Sequence, residues 1–416
     1  MAQHQEKGMH WFLLFTTNFL GVFNDNFLKH CIVFISLTWE MPGWISQAQL
    51  ISIVAAALVV PYLIFSPLAG KWSIAHSKQK IWRLFKLLEI PIMLLAAAAF
   101  LFESIYVAIF SVLLMGIQSS MYSPAKYGLI RDVGGQEGVS FGSGVFETMS
   151  FLGILLGSVL APWISDHYNV WLVVSIFLGV AFLGYFTSMR MKIKEIPVES
   201  DASTSANPIR FLLDSIKEAS QYKYLNSAVL GSSVFWMIGG MIQMNVVIHS
   251  TKTLGLSNTI SGIVLCCAAV GIALGCTIAG VLAKNKVRPG MIPLGLFGMI
   301  FALACLVWIP MSPFWTGFSI FLLAFMGGFF EVPCMALVQH ANLGRKLGAM
   351  IGYLNFVNFV FILIGTGLFS LTTILTNDSS HAVFVVIMVC CLLTGAYFYL
   401  RHPEFFKWKK SRVINL

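Results

Sequence analysis

The chain has 416 residues, of which 58% are hydrophobic and only 10% are charged, and its mean hydropathy is +0.83. This composition excludes a water-soluble globular domain, because too few polar residues are present to cover a core of that size. The net charge of +9 does not indicate a nucleic-acid-binding protein, since the basic residues stand in short segments between long apolar runs. A polytopic membrane protein fits these properties.

Long apolar runs follow one another along the whole chain, each about 20 residues long, which is the length that a helix needs to cross a bilayer. They predict twelve transmembrane helices and an all-α membrane protein. The predicted spans cover residues 10–38, 47–69, 82–102, 106–130, 139–164, 169–190, 223–250, 258–283, 290–309, 313–340, 346–376 and 381–401.

One long polar stretch separates the sixth and seventh spans. Residues 199–208 have the composition of a linker, and residues 209–219 alternate apolar and charged side chains with helical spacing. The second pattern predicts a short helix on the membrane surface. The predicted domains are an N-terminal six-helix bundle (1–190), a cytoplasmic linker (191–222), a C-terminal six-helix bundle (223–401) and a basic cytoplasmic tail (402–416).

The lysines and arginines are distributed unevenly between the two sides of the predicted membrane. Most of them stand in every second loop and at both termini, and Lys252 is the one basic residue in a loop on the other side. Because basic loops stay in the cytoplasm, this asymmetry predicts that both termini and the linker are cytoplasmic.

The two halves of the chain resemble each other. Residues 147–157 of the fifth span and 355–365 of the eleventh span match at Phe, Ile, Leu and Gly in register, which places Glu147 opposite Asn355. A parallel repeat of six plus six helices joined by a cytoplasmic linker is the architecture of the major facilitator superfamily. The repeat and the topology therefore predict this fold.

The first span contains an unusual polar stripe. Asn24, Asp25 and Asn26 are followed one turn later by Lys29, in a segment that is otherwise apolar. A charged side chain at the centre of a membrane costs roughly 2.5–3.5 kcal/mol. Asp25 and Lys29 are four residues apart and can pair on one helix face. They form either a structural ion pair or the wall of a transport pathway, and we favour the pathway because a buried pair adds little stability.

Lys126 stands between Pro124 and Gly128, near the end of the fourth span. Proline interrupts the helical hydrogen bonds and leaves backbone groups exposed at this point. The lysine either extends to the membrane surface or forms an anion site or gate with the substrate or a carboxylate.

Acidic residues within other spans have several interpretations. Glu147 is a candidate substrate ligand, a partner for a lysine, a proton carrier or a structural hydrogen-bonding group. Asp25 and Glu331 are further candidates for proton transfer or gating. Glu89 is interpreted as structural, because it can either cap a helix break at Pro91 or pair with Lys86.

Two amides of the eleventh span, Asn355 and Asn358, complete the candidate substrate-binding residues. They either line a polar cavity or form hydrogen bonds between helices.

The sequence contains no signature of an enzyme. None of the nine histidines is followed by Asp five positions later, and the GxSxG, Walker A and zinc-site patterns are absent. The eight cysteines lie in apolar stretches without a CxxC spacing. We therefore predict a protein that is not an enzyme and has no catalytic residue, metal or cofactor.

Several segments resemble the bacterial lysophospholipid transporter family, which also forms the membrane part of fused acylglycerophosphoethanolamine acyltransferases. The resemblance covers nearly the whole chain. The segments that carry it are 18–29, with Asn24-Asp25-Asn26 and Lys29, 124–128, 146–157, 287–295, 327–333 and 355–358. The run 70–75 departs from the superfamily because it lacks the usual Asp of that loop.

The resemblance implies a transporter of the bacterial inner membrane that moves a lysophospholipid to the cytoplasmic leaflet by alternating access. The expected substrate is lysophosphatidylethanolamine, which a separate acyltransferase would then reacylate. The expected partners are this substrate and membrane lipids, with no nucleic acid, and a monomer is the default for the fold.

Two other functions stay open at this point. A proton-coupled transporter of a small solute or drug-like molecule would use the same fold, and a membrane scaffold for an acyltransferase would need no transport. A scaffold has no need of Asp25 and Lys29 inside the membrane, so we rank it last.

Overall fold

The computed structural model describes residues 2–36, 39, 47–195, 207–256, 258–283, 286–377 and 379–407. Every regular element within these ranges is a helix, as predicted from the hydropathy pattern. The predicted linker residues 196–206 and tail residues 408–416 lie outside the described residues.

The described chain forms twelve α-helices, of which five precede the linker, one short helix follows it and six complete the chain. The first five are α1 (Ala2–Ile35), α2 (Gln47–Ala75), α3 (Lys78–Leu101), α4 (Ile105–Asp166) and α5 (Val170–Arg190). The others are α6 (Pro208–Ala219), α7 (Leu225–Ile248), α8 (Asn258–Ala283), α9 (Met291–Trp308), α10 (Pro313–His340), α11 (Leu347–Leu375) and α12 (Ser380–Arg401).

Helix α4 is 62 residues long and contains one break, at Gly135, where φ is +65°. Only glycine adopts this backbone conformation without strain. The break separates the predicted spans 106–130 and 139–164, so α4 accounts for two transmembrane helices. By length and composition, ten helices in the described ranges can cross a membrane, with α4 counted once.

Helix α1 is not among these ten, although it is 34 residues long. Its polar stripe from Asn24 to Lys29 lowers its mean hydropathy. Together with the two halves of α4, it brings the helices to the predicted twelve spans. The fold class was therefore predicted correctly.

The start of α3 is held by the segment that follows α5. The carboxylate of Glu195 accepts hydrogen bonds from the backbone N–H groups of Lys78 and Gln79, at 2.7 and 2.9 Å, and from the Ser77 hydroxyl at 2.7 Å. These donors are the free N–H groups that a helix N-terminus exposes. The Lys78 ammonium forms a buried ion pair with Asp132 at 2.7 Å. Together these contacts fix the N-terminal end of α3. The run 70–75, which was predicted to belong to a loop, is the last part of helix α2.

The helices pack into two compact units, which cut across the order of the sequence. Unit 1 consists of Met1–Gly135, Met149–Ser215 and Leu343–Phe356. Unit 2 consists of Gln136–Thr148, Ile216–Asn342 and Val357–Leu416. Helices α4 and α11 therefore each contribute residues to both units. The domains 1–190, 191–222, 223–401 and 402–416 stay a prediction from the sequence repeat.

The core of unit 1 is aromatic and joins α1, α3 and α5. The rings of Phe27 and Phe177 meet edge to face at 5.4 Å, and Phe177 meets Phe100 in the same way at 5.5 Å. All three side chains are fully buried. Such edge-to-face pairs add to the stability that burial provides.

Unit 2 depends on close approach between α8 and α10. A Cβ atom added at Gly271 or Gly275 would overlap the carbonyl of Phe321 or Phe325, and one at Gly328 would overlap the backbone of α8. Glycine permits this separation because it has no side chain, and such small residues are typical of helix contacts in membranes.

The outer faces of the helices are apolar. Phe301 and Leu393, for example, expose 63% and 66% of their surface. Because large apolar side chains are unfavourable in water, these faces fit the hydrocarbon of a membrane.

Candidate functional site

Unit 1 contains a group of buried polar side chains, which we call the unit 1 polar cluster. It is formed by Asn18, Asn24 and Asp25 of α1, Lys86 and Glu89 of α3, and Gln118, Ser119, Tyr122 and Lys126 of α4. It brings three of the predicted site residues together: Asn24, Asp25 and Lys126.

Asp25 is the half-buried member of this cluster. Its Oδ2 atom accepts a hydrogen bond from the Ser119 hydroxyl at 2.8 Å. Glu89, Lys86 and Lys126 all act on its charge electrostatically. Asp25 therefore combines a half-buried side chain with nearby charges of both signs, which suits a polar ligand.

Asp25 and Lys29 do not form the ion pair that their spacing allows. Among the described residues, the ion pairs within 4.0 Å do not include either side chain. The Lys29 ammonium instead donates to Asn26 Oδ1 at 3.3 Å, and Asn26 Nδ2 donates to the Val22 carbonyl at 2.9 Å. Helical side chains lean toward the N-terminus, so Lys29 can reach both Asn26 and Asp25, and it bonds Asn26 while Asp25 is bonded by Ser119 of α4.

Glu89 connects α3 to α1. Its Oε2 atom accepts a hydrogen bond from the Lys86 ammonium at 2.7 Å, and its Oε1 atom accepts one from Asn24 Nδ2 at 2.8 Å. Lys86 and Glu89 are 0% and 1% exposed at their side chains. The pairing with Lys86 was anticipated from the sequence, but the bond to Asn24, next to Asp25, was not.

Lys126 points into unit 1 rather than to the membrane surface. Its ammonium donates to Asn18 Oδ1 at 3.3 Å and lies 5.5 and 5.3 Å from the centres of the Tyr122 and Tyr127 rings. Asn18 in turn donates to the Ser150 hydroxyl at 2.8 Å. The lysine is only 7% exposed. A buried ammonium between aromatic rings can attract an anion such as a phosphate.

The two predicted amides of α11 belong to different units. Asn355 belongs to unit 1, where its Nδ2 atom donates to the Ser123 hydroxyl at 2.9 Å. Asn358 belongs to unit 2, where its Oδ1 atom accepts from the Ser233 hydroxyl at 2.7 Å. Both amides thus take part in hydrogen bonds between helices, which is one of the two roles considered for them.

The predicted acidic residues Glu147 and Glu331 lie in unit 2 and are fully buried. Glu331 Oε1 accepts a hydrogen bond from the Ser232 hydroxyl at 2.6 Å, while its Oε2 atom has no hydrogen-bond partner among the described residues. Glu147 acts on Glu331 electrostatically. Unit 2 thus brings two carboxyl groups near each other.

Six of the nine cluster residues were not predicted as site residues: Asn18, Lys86, Glu89, Gln118, Ser119 and Tyr122. Opposite charges three residues apart within an apolar run were a usable signal for Lys86 and Glu89. Ser119 and Tyr122 gave no signal, because single hydroxyl groups are common in transmembrane helices. In the ranges that the structure describes, no three His, Cys, Asp or Glu side chains group as metal ligands.

The sequence has recognisable relatives. A family model described as "Major Facilitator Superfamily" matches residues 12–366. A protein of Photorhabdus laumondii named "Lysophospholipid transporter LplT" is 26% identical over 376 residues, which cover 85% of this chain and 86% of that protein. A protein of Klebsiella pneumoniae with the same name is 27% identical over 375 residues, with 88% of each chain covered.

Solved structures share the fold. The transporter FucP in its outward conformation superposes with a TM-score of 0.74 at 11% identity, over 93% of this chain and 98% of FucP. The human organic anion transporter MFSD10 gives a TM-score of 0.73 at 13% identity, over 94% and 99% of the two chains. Twelve membrane-spanning helices, the matching family model and these structural neighbours agree. The chain is a multi-pass membrane protein of the Major Facilitator Superfamily.

Proposed function

We propose that this protein transports a lysophospholipid across the membrane by alternating access. The observation that carries the proposal is the unit 1 polar cluster, which holds buried charges of both signs around the half-buried side chain of Asp25. The two relatives named as lysophospholipid transporters support the same substrate class.

The chemistry of the cluster complements a zwitterionic headgroup. Lys126 can attract the phosphate, and Asp25 can accept hydrogen bonds from a primary ammonium such as that of lysophosphatidylethanolamine. Each hydrogen bond to an ionised group contributes about 1.5–3 kcal/mol. A substrate with one charge of each sign leaves the net charge of the cluster unchanged, which limits the cost of moving it through the membrane.

The single acyl chain needs no dedicated polar contact. It can lie against apolar side chains or extend between helices into the surrounding hydrocarbon, because those surfaces resemble the lipid interior. A transporter of this kind has to bind the headgroup specifically and the chain only loosely.

The distribution of basic residues and the relatives support a proposal for the membrane, the orientation and the direction of transport. We place the protein in the bacterial inner membrane with both termini cytoplasmic, and we expect transport toward the cytoplasmic leaflet. A separate acyltransferase would then reacylate the lysolipid, and the monomer is the expected functional unit.

The test is a flipping assay in vesicles that contain the purified protein. Labelled lysophosphatidylethanolamine in the outer leaflet is followed with a membrane-impermeant probe, for the wild type, Asp25→Asn and the control Asp214→Asn. Asp214 lies on α6 with its side chain 61% exposed. We expect rapid protection by the wild type and the control, and a loss of about tenfold or more in Asp25→Asn. Equal rates in all three would refute the role of Asp25.

The second candidate function is proton-coupled transport of a small solute, and the observation in its favour is the pair of buried carboxyl groups in unit 2. Under this alternative, a pH gradient alone would drive uptake of a solute and Glu331→Gln would abolish it. Lysolipid would not compete. A wild type that folds well but moves no lysolipid would favour this alternative.

A further inference from the structure

We propose that Lys86 and Glu89 of α3 are positioning residues, which hold Asn24 and thereby set the place of Asp25 in the transport site. The inference rests on the proposed function, since it gives a role to two residues that support the candidate site. Neither side chain is accessible, so neither is proposed to contact the substrate.

Two hydrogen bonds connect α3 to the residue that precedes Asp25 in α1. The Lys86 ammonium donates to one oxygen of Glu89, which directs the other oxygen toward α1. That oxygen accepts from Asn24 Nδ2 at 2.8 Å. Asn24 is the sequence neighbour of Asp25, so a rotation of α1 that moved Asp25 would also break the bond to Glu89.

The hydrogen-bond donor of Asp25 is tied to the same turn of α3. Ser119 donates to Asp25 Oδ2, and its hydroxyl also lies 3.0 Å from Gln118 Oε1. Gln118 Nε2 donates to the Phe85 carbonyl at 2.9 Å. Residues 85–89 of α3 therefore bond the sequence neighbours of the two residues in the Asp25–Ser119 bond: Glu89 bonds Asn24 on α1, and the Phe85 carbonyl bonds Gln118 on α4.

Gly21 of α1 leaves space for the Lys86 side chain, and Gly184 of α5 lies beside it. A Cβ atom at Gly21 would lie 2.5 Å from the Lys86 ammonium, and one at Gly184 would lie 3.6 Å from it. The Lys86 ammonium also lies 5.7 Å from the centre of the Tyr122 ring. Helices α1, α4 and α5 thus surround the Lys86 side chain, which is fully buried beside Glu89.

Stability alone does not account for this arrangement. A buried ion pair is commonly replaced by apolar residues of similar volume without loss of stability. Such a replacement, however, removes the oxygen to which Asn24 is bonded. A positioning role and a structural role therefore predict different results for variants that differ only in this oxygen.

The test compares two double variants that are both uncharged and of similar volume. Lys86→Met with Glu89→Gln keeps an amide oxygen for Asn24, whereas Lys86→Met with Glu89→Met removes it. In the flipping assay, we expect the Gln variant to stay within about tenfold of the wild type and the Met variant to be at least about tenfold slower than the Gln variant. Gly179→Ala serves as the control, because nothing lies within 4 Å of that Cβ position.

A second measurement reports the position of residue 25 and does not require lysolipid transport. Asp25→Cys is introduced into the wild type and both double variants, and the rate of maleimide labelling at residue 25 is followed by peptide mass spectrometry. We expect equal rates in the wild-type and Gln backgrounds and a rate changed several-fold in the Met background.

The outcomes separate the two proposals. If labelling distinguishes the Met background but the wild type moves no lysolipid, the positioning role stands and the proposed substrate fails. If both folded double variants transport and label alike, the positioning role is overturned. If both lose transport while labelling stays unchanged, the charges act directly and positioning through Asn24 is likewise overturned.

Discussion

The two units differ in the charged side chains that they bury. In unit 1, buried lysines and carboxylates occur together, and Lys78 and Lys86 each bond an acidic side chain at 2.7 Å. In unit 2, the buried acidic residues are Glu147 and Glu331, and no lysine or arginine of its described residues is buried. Unit 1 can therefore compensate both charges of a zwitterion, whereas the described residues of unit 2 include no buried lysine or arginine to compensate the negative one.

Both units pack closely at glycine and through aromatic rings: Gly157 lies against the Phe23 backbone in unit 1, and in unit 2 the α8–α10 contact relies on glycine while Phe330 meets Phe398 edge to face. Among the described residues, buried pairs between a lysine and a carboxylate occur in unit 1. A membrane supplies no hydrophobic force between helices, so either polar bonds or close packing has to replace it. Four substitutions test this comparison.

The largest expected effect is in unit 1. Asp132→Ala removes the partner of Lys78, whose side chain is only 1% exposed. An unpaired buried charge costs about 3–5 kcal/mol, so we expect a clear fall in the midpoint of SDS-induced or thermal unfolding. The control is Asp214→Ala, which removes an exposed pair with Arg210 and should change the stability by less than about 1 kcal/mol. Similar midpoints for the two variants would show that buried ion pairs do not stabilise unit 1.

The next effect is in unit 2. Gly275→Ala places a methyl group against the Phe325 carbonyl, and overpacking of this kind costs about 1–3 kcal/mol. Gly262→Ala, on the same helix, meets nothing within 4 Å and serves as the control. We expect only the first substitution to lower the unfolding midpoint in detergent. A normal midpoint for Gly275→Ala would contradict the dependence of unit 2 on the α8–α10 contact.

A smaller effect is expected at Glu331. The amide of Glu331→Gln can still accept from Ser232 and, unlike a carboxyl group, cannot place a negative charge near Glu147. We therefore expect the free energy of unfolding to stay unchanged or to rise by up to about 1 kcal/mol. A fall of more than about 2 kcal/mol would mean that the Glu331 carboxylate is stabilised by a cation, and the contrast between the units would fail.

The smallest expected effect on stability is at Glu404, near the C-terminal end of unit 2. Burial raises the pKa of the Glu404 carboxyl, but hydrogen bonds from its own backbone N–H, Lys223 and Tyr224 outweigh burial and hold the pKa below its ordinary value. Its stabilisation is therefore complete above the unfolded pKa of about 4.3 and is lost as the pH falls through the folded pKa.

Because Lys223 is largely exposed, solvent screening limits the effect at Glu404 to about 0.5 kcal/mol. Unfolding midpoints of the wild type and Glu404→Gln, measured across this pH range, should differ slightly at neutral pH and converge in acid. If the difference between the two midpoints grew as the pH fell, it would contradict a stabilising interaction of the Glu404 carboxylate with Lys223.

Parts of the site could be read from the sequence, because charges inside an apolar run are conspicuous. Asp25 and Lys126 were identified in this way and lie in the unit 1 polar cluster. The bond between Asn24 and Glu89 could not be identified, since its two residues are 65 positions apart in the chain. The Asp25–Lys29 pair was a reasonable expectation from spacing, but Ser119, from a distant helix, bonds Asp25 instead.

The sequence by itself determined the helices, the twelve spans and the fold class, because hydropathy over about 20 residues and an internal repeat are local properties of the chain. Only the tertiary structure decided which polar side chains meet. In the structure Glu89 accepts a hydrogen bond from Asn24 as well as pairing with Lys86. The structure also places Asn355 in unit 1 and Asn358 in unit 2. The physical reason is that a buried polar group bonds the nearest donor or acceptor in space, and helix packing chooses that neighbour.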